Sequence, residues 1–183
     1  MGQTLSKWLF FKLAGWTIVG DFPKDVKKYI IVVAPHTSGW DFLIGLLVRS
    51  IKQVEAYFIG KDSLFKPPLG WLFRALGGYP VDRSKRTNFV DSVVDLFNSK
   101  ESFAIAIAPE GTRKRVDKLK TGFYYIALGA KIPIVLGKLD YEHKIVEIAE
   151  PMYLSGNIDQ DFEKIVSFFR GVKGKYPENS VHI

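Results

Sequence analysis

Apolar residues in this chain arrive in short runs divided by polar loops, and the runs alternate between two periodicities. Tyr29-Ile-Ile-Val-Val-Ala is an unbroken, largely β-branched run, the pattern of a strand buried on both faces. Helical spacing follows over 41–50, with Asp41 near its start. A strand is predicted over 54–59, and then a helical stretch over 63–76 that Pro67-Pro68 and Gly70 interrupt. A short strand over 79–81 precedes a helix over 87–98, whose Phe89, Val93, Leu96 and Phe97 share one face. The remaining text predicts a strand over 103–108, a helix over 122–130, strands over 132–136 and 144–149, and a final amphipathic helix over 158–169. Strands alternating with helices imply an α/β fold: a mostly parallel mixed sheet flanked by helices on both faces. With 183 residues and no linker, repeat or low-complexity tract, one domain is expected.

Residues 8–19 form the most apolar stretch near an end, about 12 residues against the roughly 20 needed to span a bilayer, with Lys12 inside it. No small-residue cleavage site follows, so a signal peptide is not expected. Leu5, Trp8, Leu9, Lys12, Leu13 and Trp16 recur at helical spacing, and Lys7 and Lys12 can snorkel toward lipid phosphates. Residues 1–22 therefore read as a short N-terminal amphipathic helix that lies on a membrane, with 23–183 as the folded domain. The alternative is a helix that docks its aromatic face on the protein's own core.

Charge narrows the partners. Lys and Arg number 26 against 19 Asp and Glu, a net +7, and the excess is uneven: residues 1–138 carry +10 and 139–183 carry −3. Such a balance favours anionic partners, whether membrane surface, phosphorylated small molecule or nucleic acid. The chain has no cysteine, which excludes disulfides, thiolate metal sites and a cysteine nucleophile. Three histidines leave little room for a histidine-rich metal centre, and no metal site is expected.

Three polar loops follow predicted strands, where ligand loops of α/β folds emerge. The first, Pro35-His36-Thr37-Ser38-Gly39-Trp40-Asp41, puts a carboxylate five positions after a histidine. The two can fold back into a pair in which the carboxylate holds one ring nitrogen and frees the other to take a proton. The same residues can instead staple the loop, with Asp41 capping the helix. Ser38 is badly placed as a nucleophile, and the chain holds no Gly-x-Ser-x-Gly elbow. The second loop, Gly77 to Arg83, offers close backbone approach and a guanidinium fork suited to phosphate, or simply a turn with a surface Asp82–Arg83 pair. The third, Pro109-Glu110-Gly111-Thr112-Arg113, delivers a carboxylate, a hydroxyl and a guanidinium from one turn. Glu110 can accept from a ligand hydroxyl and Arg113 can hold a phosphate; a plain helix-capping turn fits equally well.

Taken in order, these loops resemble the motifs of the lysophospholipid/glycerolipid acyltransferase family. His-x4-Asp matches His36 and Asp41, the Val-Asp-Arg motif matches Gly78 to Arg83, Pro-Glu-Gly-Thr-Arg matches Pro109 to Arg113, and Ile132-Pro-Ile-Val135 matches the fourth. The likeness runs from about residue 29 to 150. Ala34-Pro35 stands where the family often has a polar residue, and Trp40 is bulky beside the pair. The resemblance implies an O-acyltransferase that moves a fatty acyl group from acyl-CoA or an acyl carrier protein thioester to a lysophospholipid hydroxyl. The expected acceptor is 1-acylglycerol 3-phosphate; glycerol 3-phosphate, another lyso-lipid or an aminoacyl lipid are alternatives. It implies His36 as general base, Asp41 as its orienter, and Arg83, Glu110, Gly111, Thr112 and Arg113 around the acceptor. No cofactor beyond the thioester co-substrate is implied. The expected setting is peripheral, at the cytoplasmic face of a membrane such as the bacterial inner membrane. A non-catalytic membrane- or anion-binding module would account for the basic loops but needs no His–Asp pair. Nucleic acid is not an expected partner, because the basic clusters sit at strand-end loops and no DNA or RNA motif is present.

Overall fold

The computed structural model describes residues 2–81 and 86–181. Its elements, in chain order, are α1 (Gln3–Lys7), continued by a π-helical turn Trp8–Leu13, then β1 (Thr17–Val19), β2 (Lys28–Ala34), α2 (Trp40–Lys52) and β3 (Ala56–Lys61). After a 3-10 turn at Asp62–Phe65 come α3 (Gly70–Ala75), β4 (Gly78–Val81), α4 (Arg86–Asn98), β5 (Phe103–Ile107), α5 (Gly122–Ala130), β6 (Ile134–Asp140), β7 (Ile145–Ile148) and α6 (Ile158–Phe169). The seven strands make one sheet in the order β1-β7-β6-β2-β5-β3-β4, parallel throughout except for the β6–β7 hairpin. The alternation of strand and helix periods thus yields the expected α/β domain.

Pleating explains how one strand serves two cores. In β2, Ile30, Val32 and Ala34 point to one face, where Val93, Phe97, Phe123, Tyr124, Ile126 and Ile165 of α4, α5 and α6 cover them. Tyr29 and Ile31 point to the other, against Ile44, Val48 and Ile51 of α2, together with Phe10 and Trp16. Burial on both sides is why β2 reads as an unbroken apolar run. At roughly 1.5–3 kcal/mol for each fully buried large aliphatic side chain, β2 is firmly anchored in the sheet, and loops leaving it start from a rigid base.

The N-terminus departs from its sequence reading in one respect. The helix stops at Leu13, Gly15 turns the chain at φ +70°, and Thr17–Val19 joins the sheet edge parallel to Ile145–Glu147. Trp16 is therefore not on the outward face with Leu5, Trp8 and Leu13; it is buried beside Phe10, at 6.1 Å between ring centroids. Helical spacing lost its meaning once the helix had ended. Leu5, Trp8, Phe11 and Leu13 remain exposed. Among the described residues no helix is long and apolar enough to cross a membrane.

Candidate active site

Sheet register decides what meets at the site. Val32 of β2 lies beside Ile107 of β5, and Ala34 lies beside Lys138 of β6. Because all three strands run the same way, the residues just beyond them emerge from one edge: His36 after β2, Glu110 after β5 and Tyr141 after β6. This is the carboxyl edge of a parallel sheet, where α/β folds place their ligands.

His36 and Asp41 are brought together. Nδ1 of His36 lies 3.0 Å from Oδ2 of Asp41, with the imidazole side chain 29% exposed and the carboxylate 3%. The same Oδ2 accepts the backbone N–H groups of Thr37 and Ser38, each at 2.9 Å, and Oδ1 accepts the Tyr141 hydroxyl at 2.6 Å. One carboxylate thus both staples the loop and holds the ring. The helix N-cap itself is Gly39.

Burial pushes the Asp41 carboxyl up, but the hydrogen bonds from His36, Tyr141 and the Ser38 amide outweigh it and hold the group below the usual aspartate range. An ionised carboxylate has no proton to give, so the hydrogen shared with it is carried by Nδ1 of His36. Tyr141 is correspondingly raised, first by burial and then by the negative charge it serves. Its ring is fixed from behind by Trp16, edge to face at 4.9 Å.

Tyr141 carries no motif signal. A tyrosine three residues past the partner of Ala34 on the neighbouring strand would be the only clue, and that register is not written in the sequence.

Glu110 meets the His36 loop directly. It is turned inward, 2% exposed, and its Oε1 accepts the His36 backbone N–H at 2.8 Å. Oε2 is buried and without a hydrogen-bond partner among the described residues. Burial raises the carboxyl, more than the His36 amide lowers it. Glu110 therefore braces the His36 loop through Oε1. Gly111 carries the turn at φ +65°, with Lys120 packed against the space a side chain would occupy. Thr112 accepts from the Lys114 amide at 3.3 Å, and Arg113 reaches back over the first loop, its Nη1 3.3 Å from the point where a Gly39 Cβ would lie. Arg83 lies outside the described residues.

Two cavities meet at His36. One, of about 270 Å³, runs under α2 between helix and sheet; Ile31, Phe42, Gly45, Leu46 and Leu139 line it, and it opens on His36 and Asp41. The other, of about 380 Å³, is more polar and is lined by His36 with Gly111, Thr112 and Arg113. His143, the other described histidine, also faces a carboxylate, Asp140 at 2.7 Å, but stands on the exposed β6–β7 turn. Among the described residues no cluster of three or more His, Cys, Asp or Glu side chains could hold a metal ion.

Fold and site together define a three-layer α/β domain with a buried-carboxylate–histidine pair at the carboxyl edge of its sheet. The family model described as Acyltransferase matches residues 17–135, and the chain belongs to that family. The 1-acyl-sn-glycerol-3-phosphate acyltransferase of Saccharomyces cerevisiae is 37% identical over 118 residues, covering 60% of this chain and 38% of the yeast protein. The protein of the same description from Cocos nucifera is 31% identical over 110 residues, 57% of this chain and 35% of its own length. The matched stretch therefore spans little more than a third of either relative. The crystal structure of the 1-acyl-sn-glycerophosphate (LPA) acyltransferase PlsC from Thermotoga maritima shares the fold, with a TM-score of 0.59 at 23% identity over 91% of this chain and 75% of that one.

Proposed function

We propose that this protein transfers a fatty acyl group from an acyl thioester, acyl-CoA or acyl carrier protein, to the free hydroxyl of 1-acylglycerol 3-phosphate, giving phosphatidic acid. The observation that carries the reading is that His36 lines two unlike cavities, one largely apolar and one that also holds Thr112 and Arg113. An acyl chain in the apolar cavity and a phosphate near Arg113 would bring thioester carbonyl and acceptor hydroxyl to the same imidazole. The names of the yeast and coconut relatives support the acceptor class.

The unprotonated nitrogen of His36 takes the hydroxyl proton as the oxygen attacks the thioester carbonyl. The C–O bond forms, the tetrahedral intermediate collapses with loss of the C–S bond, and the imidazolium returns its proton to the departing thiolate. Asp41 holds the ring in one tautomer and stabilises the imidazolium while it lasts. Acyl transfer is direct, with no covalent acyl-enzyme. Thr112 and Arg113, with Arg83 from the second motif, bind the acceptor's phosphate; Glu110 and Gly111 set the turn that presents them. Leu5, Trp8 and Leu13, flanked by Lys7 and Lys12, rest on the membrane that supplies the lipid.

Mass spectrometry of products from a lysophospholipid panel and mixed acyl thioesters tests the reading. Phosphatidic acid is expected with the wild type and none with His36→Ala; product at an equal rate from both would overturn it.

A further inference from the structure

Helix α2 presents an apolar stripe to an open groove. Trp40, Leu43, Ile44, Leu47 and Ser50 recur at steps of three and four residues, and all of them line a space of about 900 Å³. Leu9 and Leu13 of the N-terminal helix border it, as do Ala75 and Leu76 at the end of α3. Both borders are tied to α2. Ser6 Oγ donates to Ser50 Oγ at 2.8 Å and the Gln3 amide to the Ile51 carbonyl at 2.9 Å, while Arg49 Nη1 donates to the Leu76 carbonyl at 2.6 Å. The groove is therefore built into the fold. It shares Leu46, Arg49 and Val54 with the cavity beneath α2, but neither His36 nor any residue of the turn Pro109–Arg113 lines it.

Its apolar walls are open to solvent: Leu13 is 68% exposed, Trp40 56% and Leu43 46%. Apolar surface left contiguous and exposed in this way marks an interaction site. The polar groups near the end of α2 are already engaged. Arg49 serves a carbonyl, the Gln53 amide donates to the Ser50 carbonyl, and Glu55 accepts the Tyr57 hydroxyl at 2.6 Å. Lys175 also lines the groove, at its Trp40 end, with its ammonium 4.5 Å from the centroid of that ring. Among the described residues Lys175 forms no ion pair. The 13 residues of α2 run about 20 Å, enough for an acyl chain that spans one leaflet, roughly half of a 30 Å hydrocarbon core.

We infer that this groove seats one acyl chain of a bilayer phospholipid whose anionic headgroup lies at Lys175. An apolar trough the length of a leaflet, with a cation lacking a counter-ion at one end, is complementary to an anionic amphiphile. The lipid seated here is not consumed, so acyl transfer is neither assumed nor required. Because Trp40 adjoins Asp41, the seated lipid sets the dyad's edge of the sheet at the membrane surface.

The chain has no cysteine, so Leu43→Cys supplies a single site for an environment-sensitive fluorophore. The labelled full chain is mixed with vesicles of equal phosphatidylglycerol and phosphatidylcholine, with a nitroxide midway along one acyl chain of either lipid. Both nitroxides should quench the bound protein, and phosphatidylglycerol should occupy the groove about fivefold over phosphatidylcholine, the scale of one lysine at an anionic lipid surface. Lys175→Met in the same labelled background should make the two lipids equivalent. Lys164→Met, on α6 across the sheet from the N-terminal helix, should preserve the preference. Failure to bind these vesicles, binding without quenching from the acyl chain, or an equal preference before Lys175 is changed overturns the inference. So does a preference that survives Lys175→Met, or a dimer that shields the label, which would give the groove to a second copy. None of these readouts involves turnover, so their failure leaves the acyl-transfer reading standing, and loss of transfer leaves them unchanged.

Discussion

The Tyr141 hydroxyl donates to Asp41 Oδ1 at 2.6 Å across 100 residues of sequence, and Trp16 backs the phenol edge to face. The dyad is therefore a triad in its support: His36 rests on Asp41, and Asp41 rests on a tyrosine wedged against the N-terminal segment. Tyr141→Phe keeps the ring and removes the donor. A hydrogen bond to a charged group is worth about 1.5–3 kcal/mol, and that much stability should be lost at pH 7. The Asp41 value is depressed in the folded state, so its contribution is present above the ordinary aspartate pKa of about 3.9 and is lost as pH falls through the folded-state value. Urea unfolding should accordingly show a large gap between wild type and Tyr141→Phe at neutral pH that narrows below about pH 4. The kcat should fall by about tenfold, equivalent to about 1.4 kcal/mol of lost orientation. An unaltered kcat would remove Tyr141 from the positioning of the dyad.

His36→Ala should abolish turnover while lysophosphatidate binding, followed by calorimetry, stays within about threefold, because a general base contributes to the barrier and little to the ground state. Asp41→Asn leaves the size unchanged but can present an amide N–H to Nδ1. The ring is then held in the wrong tautomer, and kcat should drop by about 10²–10⁴. Residual activity near wild type in either variant would move the proton transfer elsewhere.

Glu110 separates its acceptor role from its charge. Glu110→Gln still accepts the His36 N–H, whereas Glu110→Ala leaves that donor unpartnered at a cost of about 1–3 kcal/mol. Burial raises the Glu110 value, so its contribution favours the fold at low pH and fades as pH rises through that value and the carboxylate ionises in a buried site. Thermal unfolding at pH 8 should rank Glu110→Gln at or above wild type, with Glu110→Ala well below. A glutamine variant as unstable as the alanine one would mean that the negative charge itself is required.

The apolar cavity has a substitution that nature left open. A Cβ added to Gly45 meets no atom within 4 Å, and the residue lines the cavity beneath α2. Gly45→Leu should fill part of that space and gain slightly in helix propensity, so the fold should hold. Competition assays with acyl-CoA mixtures should show preference displaced toward shorter chains. An unchanged chain-length profile would place the acyl chain outside this cavity.

The outward face of the N-terminal helix predicts binding to anionic vesicles. Sedimentation with phosphatidylglycerol vesicles should recover the wild type, and Trp8→Ala with Leu13→Ala should cut recovery several-fold through lost apolar burial. Raising salt should weaken binding of both, since Lys7 and Lys12 act through screened charge. Equal recovery of wild type and variant would assign the exposed residues another partner.

Much of this could be read before folding. Ile30 to Ala34 announced a doubly buried strand because a centre strand needs apolar residues on both faces. His36 and Asp41 were legible because five residues at a strand-to-helix turn bring them together locally. Glu110 was legible as a site residue, but its bond to the His36 amide was not, since which amide a carboxylate meets depends on the strand beside it. The short strand Thr17–Val19 was hidden because its partner, Ile145–Glu147, lies far along the chain and three residues carry no period.

What the sequence by itself determined is local: the alternation of periods that makes an α/β domain, the His-x4-Asp spacing, the basic loops after strands, and the absence of cysteine. What only the tertiary structure decided is the company these residues keep. The sheet order places β5 and β6 on either side of β2, and that order sets Glu110 against His36, 74 residues away, and Tyr141 against Asp41. The backbone of Tyr176 meets Thr37 across 139 residues for the same reason. Hydrogen bonds read distance in space, and strand order, which no local pattern encodes, converts one kind of distance into the other.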